Sequence, residues 1–263
     1  MRSAWLLGAF VALVLLFLLG PLLIAIAVAF SSGERIGFPP PGLSLRWFAD
    51  ALGNEQFRDA AARSLWVALA ATVISVVAGT GAAVALTQGQ GRFAGRAWVQ
   101  AFIMLPLAIP GIVLGLALLP TAIMLGLRPG FWATVLGHAV VGIPYSAYLV
   151  LAAFAQYDPA LDRASASLGV GPWRSFLRVT LPLIRPGIVS AAICTFLLSF
   201  DNVALSLFLS RGDTLPLRLM QHIQFTATPA VAAASVMLVL LSLGAMLMLG
   251  RVLRGRGTIR IAG

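Results

Sequence analysis

Long apolar runs alternate along this chain with short polar segments. Six runs are long enough to cross a hydrocarbon layer of ~30 Å at ~1.5 Å per helical residue. They cover approximately residues 5–30, 64–87, 98–119, 131–156, 187–209 and 229–250. Five of the six hold no Asp, Glu, Lys or Arg, and the remaining one, 187–209, holds Asp201. The runs are continuous rather than alternating, which selects helices over barrel strands. Lipid offers an unpaired amide nothing to bond. The expected structure is therefore all-α and polytopic: six transmembrane helices forming one membrane domain over 1–263. The first run begins after Arg2 and exceeds the ~7–15 residue core of a signal peptide, so it is read as a retained span.

Prolines interrupt several runs: Pro21, Pro106, Pro110 and Pro144, most densely in LPLAIPGIVLG at 105–115. Such kinks either frame a path or reflect irregular packing. Gly79 and Gly81 lie in GTGAAVA, which lacks the third glycine of a nucleotide loop. They are read as small residues that let helices approach closely.

Composition sharpens this picture. Hydrophobic residues make up 60% and charged residues 10%, against about 25% charged in soluble domains. Mean hydropathy is +0.98, so the surface must be as apolar as the core. The net charge is +10 and every basic residue is arginine. In a soluble protein that balance suggests nucleic acid. Here the arginines lie between apolar runs, so they report membrane orientation, and no nucleic-acid partner is expected. The absence of lysine excludes a P-loop, which needs one to reach the nucleotide phosphates.

Orientation follows from charge. With the N-terminus inside, the inner segments hold Arg2, Arg92, Arg96, Arg163, Arg174, Arg178, Arg185, Arg251, Arg254, Arg256 and Arg260 against Asp158 and Asp162. The outer segments hold seven arginines against five acids. This asymmetry places both termini in the cytoplasm.

Two further segments are periodic. After FPPPG at 38–42, the residues Trp47, Phe48, Ala51 and Leu52, then Phe57 and Ala61, recur at helical spacing. They predict short amphipathic helices on the outer membrane surface, or a partner surface. TLPLRLMQHIQF at 214–225 predicts an outer helix with Leu215, Leu219 and His222, or Leu217, Met220 and Ile223, in register. His138 and His222 have no acid or cysteine at ligand spacing, so no metal site is expected and both are read as hydrogen-bonded structural groups. Cys194, the one cysteine, is read as a small buried hydrophobe.

The stretch DPALDRASASLGVGPWRSFLRVTLPLIRP at 158–186 breaks the apolar pattern. Asp158 and Pro159 read as an N-cap and first-turn proline, and Ala160 to Leu168 as a short helix. Gly169 is placed to end that helix in a left-handed conformation. Gly171 and Pro172 turn the chain into a second helix carrying Trp173, Phe176, Leu177 and Thr180 on one side, with Arg174 and Arg178 on the other. Pro182 and Pro186 are expected to start the next span. Arginines and aromatics of the second helix suit lipid phosphates and the interface. The small face of the first helix, through Ala164, Ser167 and Leu168, suits a groove on another protein.

This segment resembles the EAA loop of permease subunits of binding-protein-dependent ABC importers. The pattern appears as Arg163-Ala164-Ser165, then Gly169, then Val179-Thr180-Leu181-Pro182. The resemblance implies a type I importer permease fold in a bacterial inner membrane, and makes 158–182 the coupling segment. It implies that the first short helix docks on a cytoplasmic ATPase subunit, with Asp162, Arg163, Ala164, Ser165 and Gly169 as coupling residues. It also implies two ATPase subunits carrying ATP and magnesium, a second permease giving a heterodimer, a periplasmic binding protein, and no cofactor or catalytic site in this chain. The family's Glu is Arg163 here, with Asp162 one residue earlier and about 100° away on a helix. Docking is therefore expected to rely on shape, through Ala164, Ser165 and Gly169.

Asp201, in SFDNVALSLFL, is the acid inside a span. Intramembrane acids usually face an interior or a water-filled path. Asp201, with Asn202 beside it, is read either as lining the pathway for a cationic solute or as a structural bond to a helix or partner. SFDNVALSLFL, TLPLRLMQHIQF and PGIVLGLALL are similar to membrane subunits of the spermidine/putrescine-type, PotC-like branch, which implies a polyamine or other organic cation. Phosphonates and other small solutes are the alternative within the same machinery. A self-sufficient secondary transporter is the rival from another class, but it would call for more intramembrane ionisable groups or inverted repeats. A membrane enzyme has no cluster of nucleophile, base and metal ligand to support it.

Overall fold

A computed structural model describes residues 2–87, 94–225 and 228–254. Arg92, Arg256 and Arg260, which contribute to the charge asymmetry, lie outside the described residues. The described chain is built from helices: α1 Arg2–Ala29, α2 Arg46–Gly53, α3 Glu55–Thr87, α4 Arg96–Met104, α5 Gly111–Met124, α6 Phe131–Phe154, α7 Ala160–Ser167, α8 Pro172–Ser175, α9 Leu181–Phe200, α10 Val203–Leu209, α11 Leu215–Phe225 and α12 Pro229–Arg254. Five continuous helical stretches are long and apolar enough to cross a membrane: Leu6–Ala29, Glu55–Thr87, Phe131–Phe154, Pro172–Phe200 and Pro229–Met248. A sixth is a bent pair, Arg96–Ala108 with Gly111–Met124.

Three expected boundaries differ from the structure, each for a backbone reason. The run 98–119 is not one straight span: it bends by 108° after a 3-10 turn at Leu105–Ala108. Pro110 has no N–H and holds Ile109 extended, at φ −96° and ψ 126°. The run 187–209 is also broken. Helix α9 ends at Phe200, and Asn202 starts α10 by accepting a hydrogen bond from Leu205 N at 2.9 Å. Conversely, Pro182 and Pro186 do not start a new span. The helix runs on from Pro172 to Phe200 through a π turn at Phe176–Thr180. A wider turn is a usual accommodation where a proline ring crowds the carbonyl four residues back and leaves it without a donor.

The described residues divide into two compact units. One contains the chain up to Ala61 with Leu215–Leu243. Its core joins Ala51 of α2, Phe57 and Ala60 of α3, Leu215 and Leu219 of α11, and Val231 and Ala234 of α12. Phe57 and Ala61 were expected on a separate surface helix. They instead form the first turns of α3, whose start is capped by Asn54 accepting from Phe57 N at 3.3 Å. On α11, Leu215 and Leu219 join this core and His222 meets the Phe57 ring edge-on at 5.3 Å, while Leu217 of the other expected register is buried as well. On α1, Leu6 to Leu19 present exposed side chains all round, with Phe17 at 80%, as a lipid-bathed helix does.

The second unit runs from Ala62 to Thr214 and includes the chain from Gly244. Here glycines set how closely helices approach. A Cβ at Gly79 of α3 would fall 2.8 Å from Ala147 N and 2.9 Å from Ile143 O of α6. A Cβ at Gly187 of α9 would lie 2.6 Å from Ala153 Cβ and 3.0 Å from Leu149 O. Gly81, by contrast, has nothing within 4 Å. Close packing by small residues thus applies to Gly79 but not to Gly81. Around these contacts Ala83, Val150, Phe154, Ile184 and Ala191 form one core cluster. Leu114, Ala122, Ala133, Leu205 and Leu209 form another, between α5, α6 and α10.

Candidate coupling and translocation site

The turn after α6 and the start of α7 follow from local hydrogen bonds. Asp158 accepts from Ala160 N at 2.8 Å in a turn that leads into the helix, although Pro159, not the expected Asp158, is the N-cap. At the other end Gly169 adopts φ +74°, a left-handed conformation that disfavours side chains. Ala164, Ala166, Ser167 and Leu168 are exposed on α7, and Arg163 projects among them. The helix therefore offers a solvent-accessible ridge in which Ala164, Ala166 and Ser167 lie beside Arg163 and Leu168, with Ser165 half-buried.

Asp162 behaves differently from its neighbours. Tyr157 donates its hydroxyl proton to Asp162 Oδ1 at 2.6 Å, and its oxygen lies 3.3 Å from Thr180 Oγ1. Burial, and then the bond to the carboxylate, raise the Tyr157 pKa above its ordinary value, so the phenol keeps the proton it donates. This cluster joins the end of α6, the helix α7 and the π turn that leads into α9. It engages one oxygen of the half-buried Asp162 carboxylate, while Arg163 beside it is exposed. Tyr157 and Thr180 carry no spacing signal that would have paired them with Asp162. Beyond the turn, Arg174 and Arg178 are exposed, and Trp173 stacks on Phe176 at 5.7 Å.

The second group of candidate residues lies at the far end of the same helical rod. Between Pro172 and Phe200 the chain rises roughly 43 Å, so Asp162, Arg163, Ala164, Ser165 and Gly169 are not brought together with Asp201 and Asn202. Asp201 closes α9, its N–H bonded to Leu197 O at 3.3 Å, and its side chain is exposed. Asn202 spends its side-chain oxygen on the cap of α10. The expected pair thus splits into one exposed carboxylate and one capping amide.

A buried polar cluster backs this break. His138 of α6 is 4% exposed. Its Nδ1 lies 2.8 Å from Ser199 Oγ at the end of α9, and its Nε2 lies 3.4 Å from Ser206 Oγ of α10. The histidine was legible as hydrogen-bonded, but its partners were not. Near the same end of the unit, Arg63 of α3 binds Asp213 in an ion pair of 2.7 Å. Gly130 N donates to Leu209 O at 2.7 Å, and Arg211 Nε to Pro129 O at 3.0 Å, which ties the turn before α6 to the turn after α10. Among the described residues no group of three or more His, Cys, Asp or Glu could hold a metal ion.

Comparison with known proteins places this arrangement. Residues 75–256 match the family described as binding-protein-dependent transport system inner membrane component. The chain is 28% identical to the spermidine/putrescine transport system permease protein PotC of Haemophilus influenzae, over 92% of this chain and 94% of that protein. It is 30% identical to the putrescine transport system permease protein PotI of Escherichia coli, over 84% of this chain and 81% of that protein. Among solved structures, a bacterial alginate ABC transporter in complex with an alginate pentasaccharide-bound periplasmic protein aligns at TM-score 0.74 and 18% identity, over 98% of this chain and 96% of that chain. The MetNI methionine ABC transporter aligns at 0.65 and 21%, over 76% of this chain and 95% of that chain. The structural likenesses establish the fold, that of ABC importer permeases. The relatives are permease subunits, which makes this a translocation component rather than an enzyme. The chain is a multi-pass inner-membrane protein and belongs to the binding-protein-dependent transport system inner membrane component family.

Proposed function

We propose that this chain is one permease of an ATP-driven importer that moves a small organic cation, best matched by a polyamine. A periplasmic binding protein delivers the solute, a second and different permease completes the pathway, and two ATPase subunits carry ATP and magnesium. The observation that carries the coupling role is the exposed ridge of α7, rooted between α6 and the continuous helix that leads to Asp201. Shape, through Ala164, Ser165 and Gly169, is the basis of docking, with α7 and both termini on the cytoplasmic side.

The solute class rests on the polyamine names of the relatives and on the exposed Asp201 carboxylate. An acid at membrane depth is costly unless it faces water or a counter-charge. A path for cations supplies both. Phosphonate or another small solute carried by the same machinery is the alternative.

The test is purification of the tagged chain from its native membrane. Co-purification with an ATPase subunit is expected, and its loss on Ala164→Trp, which fills the ridge without straining the turn at Gly169. Purified chain that transports alone in vesicles, driven by an ion gradient, would establish the self-sufficient carrier instead.

A further inference from the structure

Three buried hydroxyls of the second unit, Thr134, Thr195 and Ser210, donate to the carbonyl four residues back. Ser199 and Ser206 do otherwise. Both are buried, and both turn to the imidazole of His138. They stand on opposite sides of the Asp201–Asn202 break, one in the last turn of α9 and one in the first turn of α10.

We infer that His138 is a positioning residue for translocation: by bonding Ser199 and Ser206 together across the break, it fixes where the Asp201 carboxylate is presented. A neutral imidazole offers one donor and one acceptor. Each serine hydroxyl can supply either role, so both bonds hold in either tautomer. Other contacts also support the break, among them the Asn202 N–H, which donates to Ser199 O at 3.4 Å. Asn202 caps α10, and α5 packs on α10 where a Cβ at Gly115 would meet Phe208 Cδ2 at 2.7 Å and Ala204 O at 3.1 Å. Gly137, the neighbour of His138, lies against the Leu209 side chain, which seats α10 on α6. His138 is a side chain that meets both the end of α9 and α10. Nothing in this cluster depends on charge, because the groups that face the ring are two hydroxyls.

This inference rests on reading Asp201 as a pathway residue, and the experiment separates the two. The assembled transporter, with Cys194→Ala and Asp201→Cys, is labelled by a membrane-impermeant maleimide with and without His138→Ala. The released serines can fall back on their own helix carbonyls, so the chain is expected to fold. His138→Ala is expected to change the labelling rate by about threefold or more, as two buried hydrogen bonds are lost. His138→Gln and His138→Asn each keep one bond and are expected in between. In parallel, with Asp201 intact, uptake of radiolabelled putrescine is measured. His138→Ala is expected to raise the half-saturating concentration about tenfold while leaving maximal uptake within about twofold. An unchanged labelling rate overturns the positioning role whatever Asp201 does. Changed labelling with unchanged half-saturation removes the link to translocation. Failure of the pathway reading shows separately, as putrescine uptake indifferent to Asp201→Asn.

Discussion

Tyr157→Phe is the sharpest probe of how α7 is held. The substitution removes one oxygen and keeps the ring, which packs edge-on to Phe154 at 5.8 Å. What is lost is the 2.6 Å bond to the Asp162 carboxylate and the 3.3 Å contact with Thr180. A hydrogen bond to a charged acceptor contributes about 1.5–3 kcal/mol when well shielded. Tyr157 and Asp162 are only partly buried, so solvent competes and about 1 kcal/mol is the fitting magnitude. That shifts the balance between held and released α7 about fivefold towards release. In the reconstituted transporter the predicted signature is poorer coupling: more ATP hydrolysed per solute imported, with basal hydrolysis retained. Asp162→Asn keeps an acceptor and should fall between wild type and Tyr157→Phe. A ratio of solute to ATP within about twofold of wild type in Tyr157→Phe would refute the idea that this cluster braces the coupling helix.

Three further outcomes follow from the same geometry. Gly79→Ala places a methyl group against the α6 backbone and should destabilise the chain by about 1–3 kcal/mol, read as a lower melting temperature in detergent. Gly81→Ala, two residues away with free space, should be neutral or slightly stabilising, and equal behaviour of the two would contradict the packing described. Arg63→Met breaks a partly exposed ion pair and should cost under ~1 kcal/mol, with the difference from wild type shrinking at high salt. Asp201→Asn should raise the half-saturating putrescine concentration while sparing assembly with the ATPase, checked by uptake and co-purification.

Five of the six expected spans were legible as continuous helices because burial in lipid leaves long unbroken apolar runs. The short helix at 160–167 was legible because its ends are written in Asp158 and Gly169. The breaks were harder. Pro110 marks a disruption of 98–119 and drives Ile109 out of the helix, but hydropathy carries no signal for the 108° angle of the bend. At Asp201-Asn202 the apolar residues on both sides continue the run, so the break hides in hydropathy, and only the capping habit of Asn signals it. The partners of His138 and Asp162 were not legible at all. Ser199 and Ser206 lie 61 and 68 residues from His138, and Thr180 lies 23 residues from the Tyr157 that bonds Asp162, and no local periodicity links them. The departure at Arg163 was visible from sequence. That Asp162 bonds Tyr157 emerged only from the structure.

The most direct test of the account is uptake of radiolabelled putrescine into vesicles holding this chain with its second permease, its ATPase subunits and its binding protein. The account predicts uptake that requires ATP inside and loaded binding protein outside, and that collapses when Gly169→Asp disturbs the end of α7. Uptake that persists without ATP, or that is indifferent to Gly169→Asp, would contradict it.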